Sequence, residues 1–322
     1  MKNNLITNID AKRAFSNFID RDKKIPQIYL DDYWDYYISE FAFTEQWKTF
    51  LTQFINEGFT YESYEEEYYK LMYEIYNTFS SLVNDKVEQK FHELLSHTNC
   101  KLPEIDIHYL PDGKYICVDL HNAFDSVFEQ IGVYGNEYKD TYDIFNKKST
   151  YEIFKNKKPL RLRLYQKFLA NTPFNISSRD VFNFMNSIIL EKLYQSNNPI
   201  IQYLNDNFEL VGKSNGDSFF YKLNDNKDIT NIIGDFEYED IPYHIDILTF
   251  KNIKMFGNDY NLHISNDNDK ITNVYLSSMN FKMPLSLYPF ALKIATGEEL
   301  NDKDLAFGYD DQIFFHWDKS EI

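Results

Sequence analysis

Two aspartates stand where chemistry is easiest to build. Asp119 sits in VDLHNAFDS at 118–126, and Asp217 in SNGDSFF at 214–220. Between them lies KFLANTPFN at 167–175, inside a basic segment. Asp119 follows a short β-rich run, KYICVD at 114–119, which predicts a buried strand with a carboxylate at its end. Such a carboxylate can hold Mg²⁺ and leave positions open for phosphate oxygens, or it can simply cap the helix that follows. Asp217 lies just past Asn215-Gly216, and Asn-Gly between two apolar runs predicts a tight β-hairpin. A carboxylate there is held rigidly, which suits a metal ligand, though an ordinary polar hairpin tip has the same sequence. Two carboxylates brought together from a strand end and a hairpin tip are the chemical core of two-metal phosphoryl transfer.

The intervening segment carries the cations. Lys155, Lys157, Lys158, Arg161, Arg163 and Lys167 follow one another with no acid between them, in a chain whose net charge is −17. Arg161, Arg163 and Lys167 could present charge to a triphosphate from a helix over 158–170, or form a solvated face paired with acids elsewhere. The strongly negative total disfavours tight nonspecific binding to nucleic acid, so a polyanionic substrate is expected to be delivered or held by a partner.

The elements that must position these residues divide the chain into three regions. Residues 1–102 read as helical: an apolar helical pattern recurs over 10–20, 30–41, 44–55 and a long segment 61–97. Residues 103–228 hold the strand at 114–119, a helix over 121–132 closing at Gly132, a polar stretch to Thr150, and the basic helix. A helix over 177–196, a short helix started by Pro199 and the hairpin over 208–223 complete that region. Residues 229–322 read as short strands (YHIDILTF, DYNLHIS, ITNVYLSS, QIFFHW) interrupted by one helix near 285–297. The expected fold class is α+β: a helical N-terminal region, an antiparallel sheet carrying 114–119 and the hairpin on adjacent strands, and a β-rich C-terminal region.

Composition narrows the setting. Two cysteines, Cys100 and Cys117, make neither a disulfide framework nor a zinc-ligand spacing. The start MKNNLITNID lacks the apolar stretch of a signal peptide, and no run approaches a membrane span. A cytoplasmic protein with no membrane partner is therefore expected. The 26 Tyr and 28 Phe, with abundant Asn, Lys and Ile, match AT-rich coding, which points to a phage, mobile-element or low-GC bacterial source.

Taken in order, the three motifs resemble those of the palm and fingers of family B DNA polymerases. Asp119-Leu-His-Asn-Ala-Phe-Asp-Ser126 aligns without a gap on the family's Asp-x-x-Ser-Leu-Tyr-Pro-Ser. Lys167-Phe-Leu-Ala-Asn-Thr-Pro-Phe-Asn175 follows Lys-x-x-x-Asn-Ser-x-Tyr-Gly, and Lys213-Ser-Asn-Gly-Asp-Ser218 falls on Tyr-Gly-Asp-Thr-Asp-Ser. The likeness spans roughly residues 110–225. It implies a palm-like sheet and a template-directed nucleotidyltransferase using Mg²⁺ or Mn²⁺ on Asp119 and Asp217. It also implies that Phe124 packs under the incoming sugar, that Lys167 meets the triphosphate, and that Asn171, on the motif's Asn, binds substrate. Nucleoside triphosphate and primer-template nucleic acid are then the partners.

The motifs depart from the family at Asn215, which replaces its first hairpin Asp, and at Asp125, Pro173 and Asn175. No exonuclease motif precedes them. These departures motivate the alternative of a catalytically inactive palm-like phage protein that binds or regulates a host or replication protein. A third reading, a metal-dependent hydrolase, would draw on His121, His244 and Asp246 as further ligands.

Overall fold

The computed structural model describes residues 8–18, 34, 38, 44–96, 102–171, 178–214, 217–224, 229–265, 271–276, 288–301, 304–309 and 312–316. They form two compact units: Met1–His92 with Phe128–Ser178, and Glu93–Val127 with Arg179–Ile322. The fold is mixed, with helices and an open antiparallel sheet.

The first unit is helical. Ile9–Phe18, Thr44–Asn56, Tyr61–Leu82, Thr141–Lys148 and Lys158–Asn171 are its main helices. The core of this unit is largely aromatic: Phe15, Trp34, Trp47, Phe50, Phe54, Tyr64 and Phe154 are all buried, and Phe15 meets Trp34, Trp47 and Phe50 edge-on. Edge-on packing suits the ring quadrupoles and adds to the burial of large apolar area. The expected helix over 30–41 is described only at Trp34 and Ile38, both helical and buried; its other residues, with Cys100, lie outside the described residues.

Two local signals escaped the apolar periodicity. The segment expected to run from 61 to 97 is two helices, Tyr61–Leu82 and Asp85–Ser96. A Thr60–Ser63 capping box starts the first. Asn84 starts the second, its Oδ1 accepting from the Lys86 and Val87 amides at 3.1 and 3.3 Å. The stretch taken as polar up to Thr150 contains the helix Thr141–Lys148, capped by Asp140 through a 2.7 Å bond from the Asp143 amide, with Ile144 and Phe145 buried.

The second unit is built on a sheet ordered β2-β3-β1-β5-β6-β7, with β4 also paired to β5. The strands are β1 (Gly113–Leu120), β2 (Glu209–Lys213), β3 (Ser218–Lys222), β4 (Gly234–Tyr238), β5 (Ile241–Met255), β6 (Asn258–Ser265) and β7 (Ile271–Leu276). A separate hairpin pairs β8 (Ala306–Tyr309) with β9 (Gln312–His316). The strand at 114–119 and the 208–223 hairpin are adjacent, as their patterns require, and every pair is antiparallel. β1 and β5 lie on opposite sides of the expected boundary at 228, yet they pair over eight positions, from Gly113↔Phe250 to Leu120↔Tyr243. No described helix is long and apolar enough to cross a membrane.

Period-two alternation gives the two faces of this sheet different fates. Ile116, Val118 and Leu120 of β1 share one face with Phe219 and Tyr221 of β3 and with Tyr243, Ile245 and Ile247 of β5. All are buried. Helices cover this face. Asn198 caps the helix Pro199–Asn207 and also donates to the Tyr243 hydroxyl at 2.7 Å, while Asn205 accepts from Tyr221 at 2.6 Å. Farther along, Tyr288, Phe290 and Ala291 of the helix Tyr288–Thr296 pack with Ile253, Met255, Leu262 and Val274.

The opposite face carries Tyr115, Cys117 and Asp119 of β1, Phe220 and Ser218 of β3, and Phe250, Leu248, Asp246 and His244 of β5. Its Tyr115 end is apolar and is covered by Ile105, Ile107 and Leu110. Its Asp119 end is polar.

The segment before β1 also seals the edge strand. The Lys213 amide donates to Pro103 O at 2.8 Å and the Ile105 amide to Lys213 O at 2.9 Å. Between them Gly212 has φ +149°, and a Cβ there would lie 2.5 Å from Pro103 O and 2.7 Å from Ile105 Cγ2. Gly212→Ala is therefore expected to destabilise the protein by roughly 2–3 kcal/mol, read as a lowered urea midpoint with an unchanged slope.

Candidate functional site

Asp119 stands at the polar end of β1 because the strand's register puts it there. It lies directly opposite Ser218 of β3 on one side and His244 of β5 on the other. The Leu120 amide donates to the Asp217 carbonyl at 2.9 Å, which ties the residue entering β3 to the end of β1. Ser214 and Ser218 close the hairpin base, their hydroxyls 3.0 Å apart and the Ser214 amide bonded to Ser218 O at 2.9 Å. Asn215 and Gly216 lie outside the described residues.

A third carboxylate joins the pair. Asp246 is directly opposite Cys117, and so on the same face as Asp119. Burial pushes the Cys117 thiol well above its ordinary range, the negative charges of Asp119, Asp217 and Asp246 push it further, and a hydrogen bond with Ser218 opposes them. One buried thiol thus feels three carboxylates contributed by β1, β5 and the entry to β3. All three are partly exposed.

The acidic end extends across β5. Asp235 of β4 is directly opposite His244, and its carboxylate lies 2.8 Å from His244 Nδ1 and 3.6 Å from His121 Nδ1. His121 continues the β1 ladder, its amide donating to Pro242 O at 2.9 Å. The three motifs read in the sequence do not include Asp235. The signal was available in GDFEY before IPYHID, two alternating runs joined by Glu239-Asp240, which take φ of 48° and 62° in a two-residue turn.

Helix Ala123–Gln130 follows at once, with Asn122 at φ 53° turning the chain. The Ser126 amide donates to Asn122 O, and the Ser126 hydroxyl to His121 O at 3.4 Å. Phe124 is partly buried in the first turn of that helix, and Asp125 beside it is buried.

The cationic candidates belong to the other unit, on the helix Lys158–Asn171. Arg161 is only 3% exposed, and its guanidinium lies 4.4 Å from the centre of the Tyr142 ring. Arg163 lies over Tyr68 and donates to its hydroxyl at 3.2 Å. Lys167 is exposed, with its ammonium 5.0 Å from the centre of the Tyr76 ring. Each contact has cation–π geometry. Asn171 ends the helix; its side chain, with Pro173 and Asn175, lies outside what the structure describes.

No protein-family model, curated protein or solved structure matches the chain.

Two consequences can be measured. The folded-state pKa of Cys117 exceeds the unfolded value, so its stabilising contribution is complete below the unfolded thiol pKa and is lost as pH rises toward the folded one. Alkylation of Cys117 at mildly alkaline pH is expected to proceed only as fast as the protein unfolds, checked by mass spectrometry against a denatured control. Asp246→Asn removes one of the three like charges and keeps the oxygen that accepts the Ile247 amide at 2.7 Å. It is expected to raise stability in EDTA by up to about 1 kcal/mol, with the gain shrinking in millimolar Mg²⁺. Calorimetry in both buffers reads this directly.

Proposed function

We propose that this chain is a metal-dependent, palm-type nucleotidyltransferase resembling a minimal family B DNA polymerase. The observation that carries the reading is the gathering of three carboxylates at one end of an antiparallel sheet: Asp119 and Asp246 share a face, Asp217 enters β3 beside the end of β1, and all three act on the Cys117 thiol. Hard oxygen donors fit Mg²⁺ or Mn²⁺, and the sulfur beside them, that of Cys117, is a thiol held protonated by burial. Asp119, Asp217 and Asp246 would hold the ions. When bound, they would supply positive charge for triphosphate oxygens and would acidify an attacking hydroxyl.

The chain's own residues would do the rest. Asp119 is held by strand pairing on both sides of β1, and the Asp217 backbone is tied to the end of β1 by the Leu120 amide, so both positions need little reorganisation. Phe124, in the first turn of the helix that follows β1, offers a partly buried ring for a sugar. A primer-template would need a partner's help to bind so acidic a protein, whose net charge is −17.

One observation favours the second reading, an inactive palm-like protein that binds or regulates a host or replication protein. Arg161, Arg163 and Lys167 each place their charge against a tyrosine of their own unit, and Arg161 is buried there.

Primer extension with labelled nucleotides, on DNA and RNA templates in Mg²⁺ or Mn²⁺, separates the two. Incorporation by the wild type, lowered at least about 100-fold in Asp119→Asn and in Asp217→Asn, is the expected result. Incorporation that survives both substitutions, or none by the wild type, overturns the transferase reading.

A further inference from the structure

Beside the three carboxylates lies a group of different chemistry. His121, Asp235 and His244 each offer a ligand atom, and these atoms all lie within 4.8 Å of one another. We infer that these three residues form a binding site for a divalent transition-metal ion of the Zn²⁺ class, separate from the oxygen-only site proposed for Mg²⁺.

The donor set decides the class. Two imidazoles and one carboxylate suit Zn²⁺, Co²⁺ or Ni²⁺, whereas Mg²⁺ prefers oxygen donors and gives up water reluctantly. In a tetrahedral zinc site adjacent ligand atoms stand roughly 3.3 Å apart, given metal–ligand bonds of about 2.0–2.1 Å. Asp235 Oδ1 is 3.6 Å from His121 Nδ1 and 2.8 Å from His244 Nδ1, so the carboxylate brackets that spacing with both histidines. Small rotations of partly exposed side chains would complete the approach. The two rings are already nearly parallel, 15° apart in plane, with centres separated by 5.7 Å.

The backbone holds the three residues where they are. His244 lies on β5, the strand between the other two. Asp235 is fixed opposite it by the β4 ladder, and His121 is tied to Pro242 at the end of the β1 ladder. No loop closure is needed to bring them together. Three protein ligands leave a coordination position open, as in sites whose metal carries water. Asp119, opposite His244 on the same face, is the nearest element of the proposed transfer site in the register.

The test uses the full chain, stripped with a chelator and dialysed. Zn²⁺ is titrated in competition with a chromophoric chelator, with 5 mM Mg²⁺ present throughout. One Zn²⁺ per chain is expected, with affinity lowered at least about tenfold in each of His121→Ala, Asp235→Asn and His244→Ala. Asp119→Asn should keep that affinity, which separates this site from the transfer site. Titration of the wild type followed by imidazole NMR signals needs no variant: two histidines should shift together and saturate at one equivalent. Absence of Zn²⁺ binding by the wild type, or binding unchanged in the His121→Ala/His244→Ala double variant, overturns the inference.

Discussion

The strict alternation of side chains along β1, locked between β3 and β5, is the constraint on which the candidate site depends. Once Ile116, Val118 and Leu120 face the helices, Tyr115, Cys117 and Asp119 must face the other way. A slip of one residue would exchange the two sets. It would bury Asp119 among apolar side chains and expose Ile116, Val118 and Leu120. Each fully buried aliphatic side chain contributes roughly 1.5–3 kcal/mol, so the register is heavily favoured. The carboxylate stands at the strand's polar end as a consequence of burial on the opposite face.

That arrangement gathers like charges. Asp119, Asp217 and Asp246 all act on the Cys117 thiol, and Asp235 lies across β5 against two histidines. Carboxylates this close repel one another unless cations or hydrogen bonds intervene. The fold meets the cost from its interior: the aliphatic and aromatic face beneath, the Asn198 link to Tyr243 and the sealed β2 edge keep the strand ends in place. The candidate site thus sits at the polar end of a strand that is paired on both sides.

The helical unit solves a different problem with the same residue types. Its tyrosines serve as packing surface and as platforms for cations: Tyr142 for Arg161, Tyr68 for Arg163 and Tyr76 for Lys167. A run of basic residues that looks solvated on paper is thereby partly drawn into the protein. Long cationic side chains can cover apolar surface while their charged ends find an aromatic face.

The sequence alone determined the elements with strong local signals. Apolar periodicity marked the helix at 44–55, the basic run ending before Pro173 marked the one at 158–170, Asn215-Gly216 marked the hairpin, Pro199 marked a helix start, and β-rich runs marked β5, β6 and β7. It also put Asp119 at a strand end and Asp217 at a hairpin. Weaker signals were lost where one side chain outweighs periodicity, as when Asn84 divides a long helix or Asp140 caps a short one. What only tertiary structure decided is which strands become neighbours. Pairing β1 with β5 joins residues more than a hundred positions apart, and no local pattern encodes that partnership. It alone brings Asp246 beside Cys117, sets His244 opposite Asp119, and through β4 sets Asp235 between two histidines. Side-chain chemistry is written residue by residue, but a site is made by register, which is settled by the burial of a whole sheet face at once.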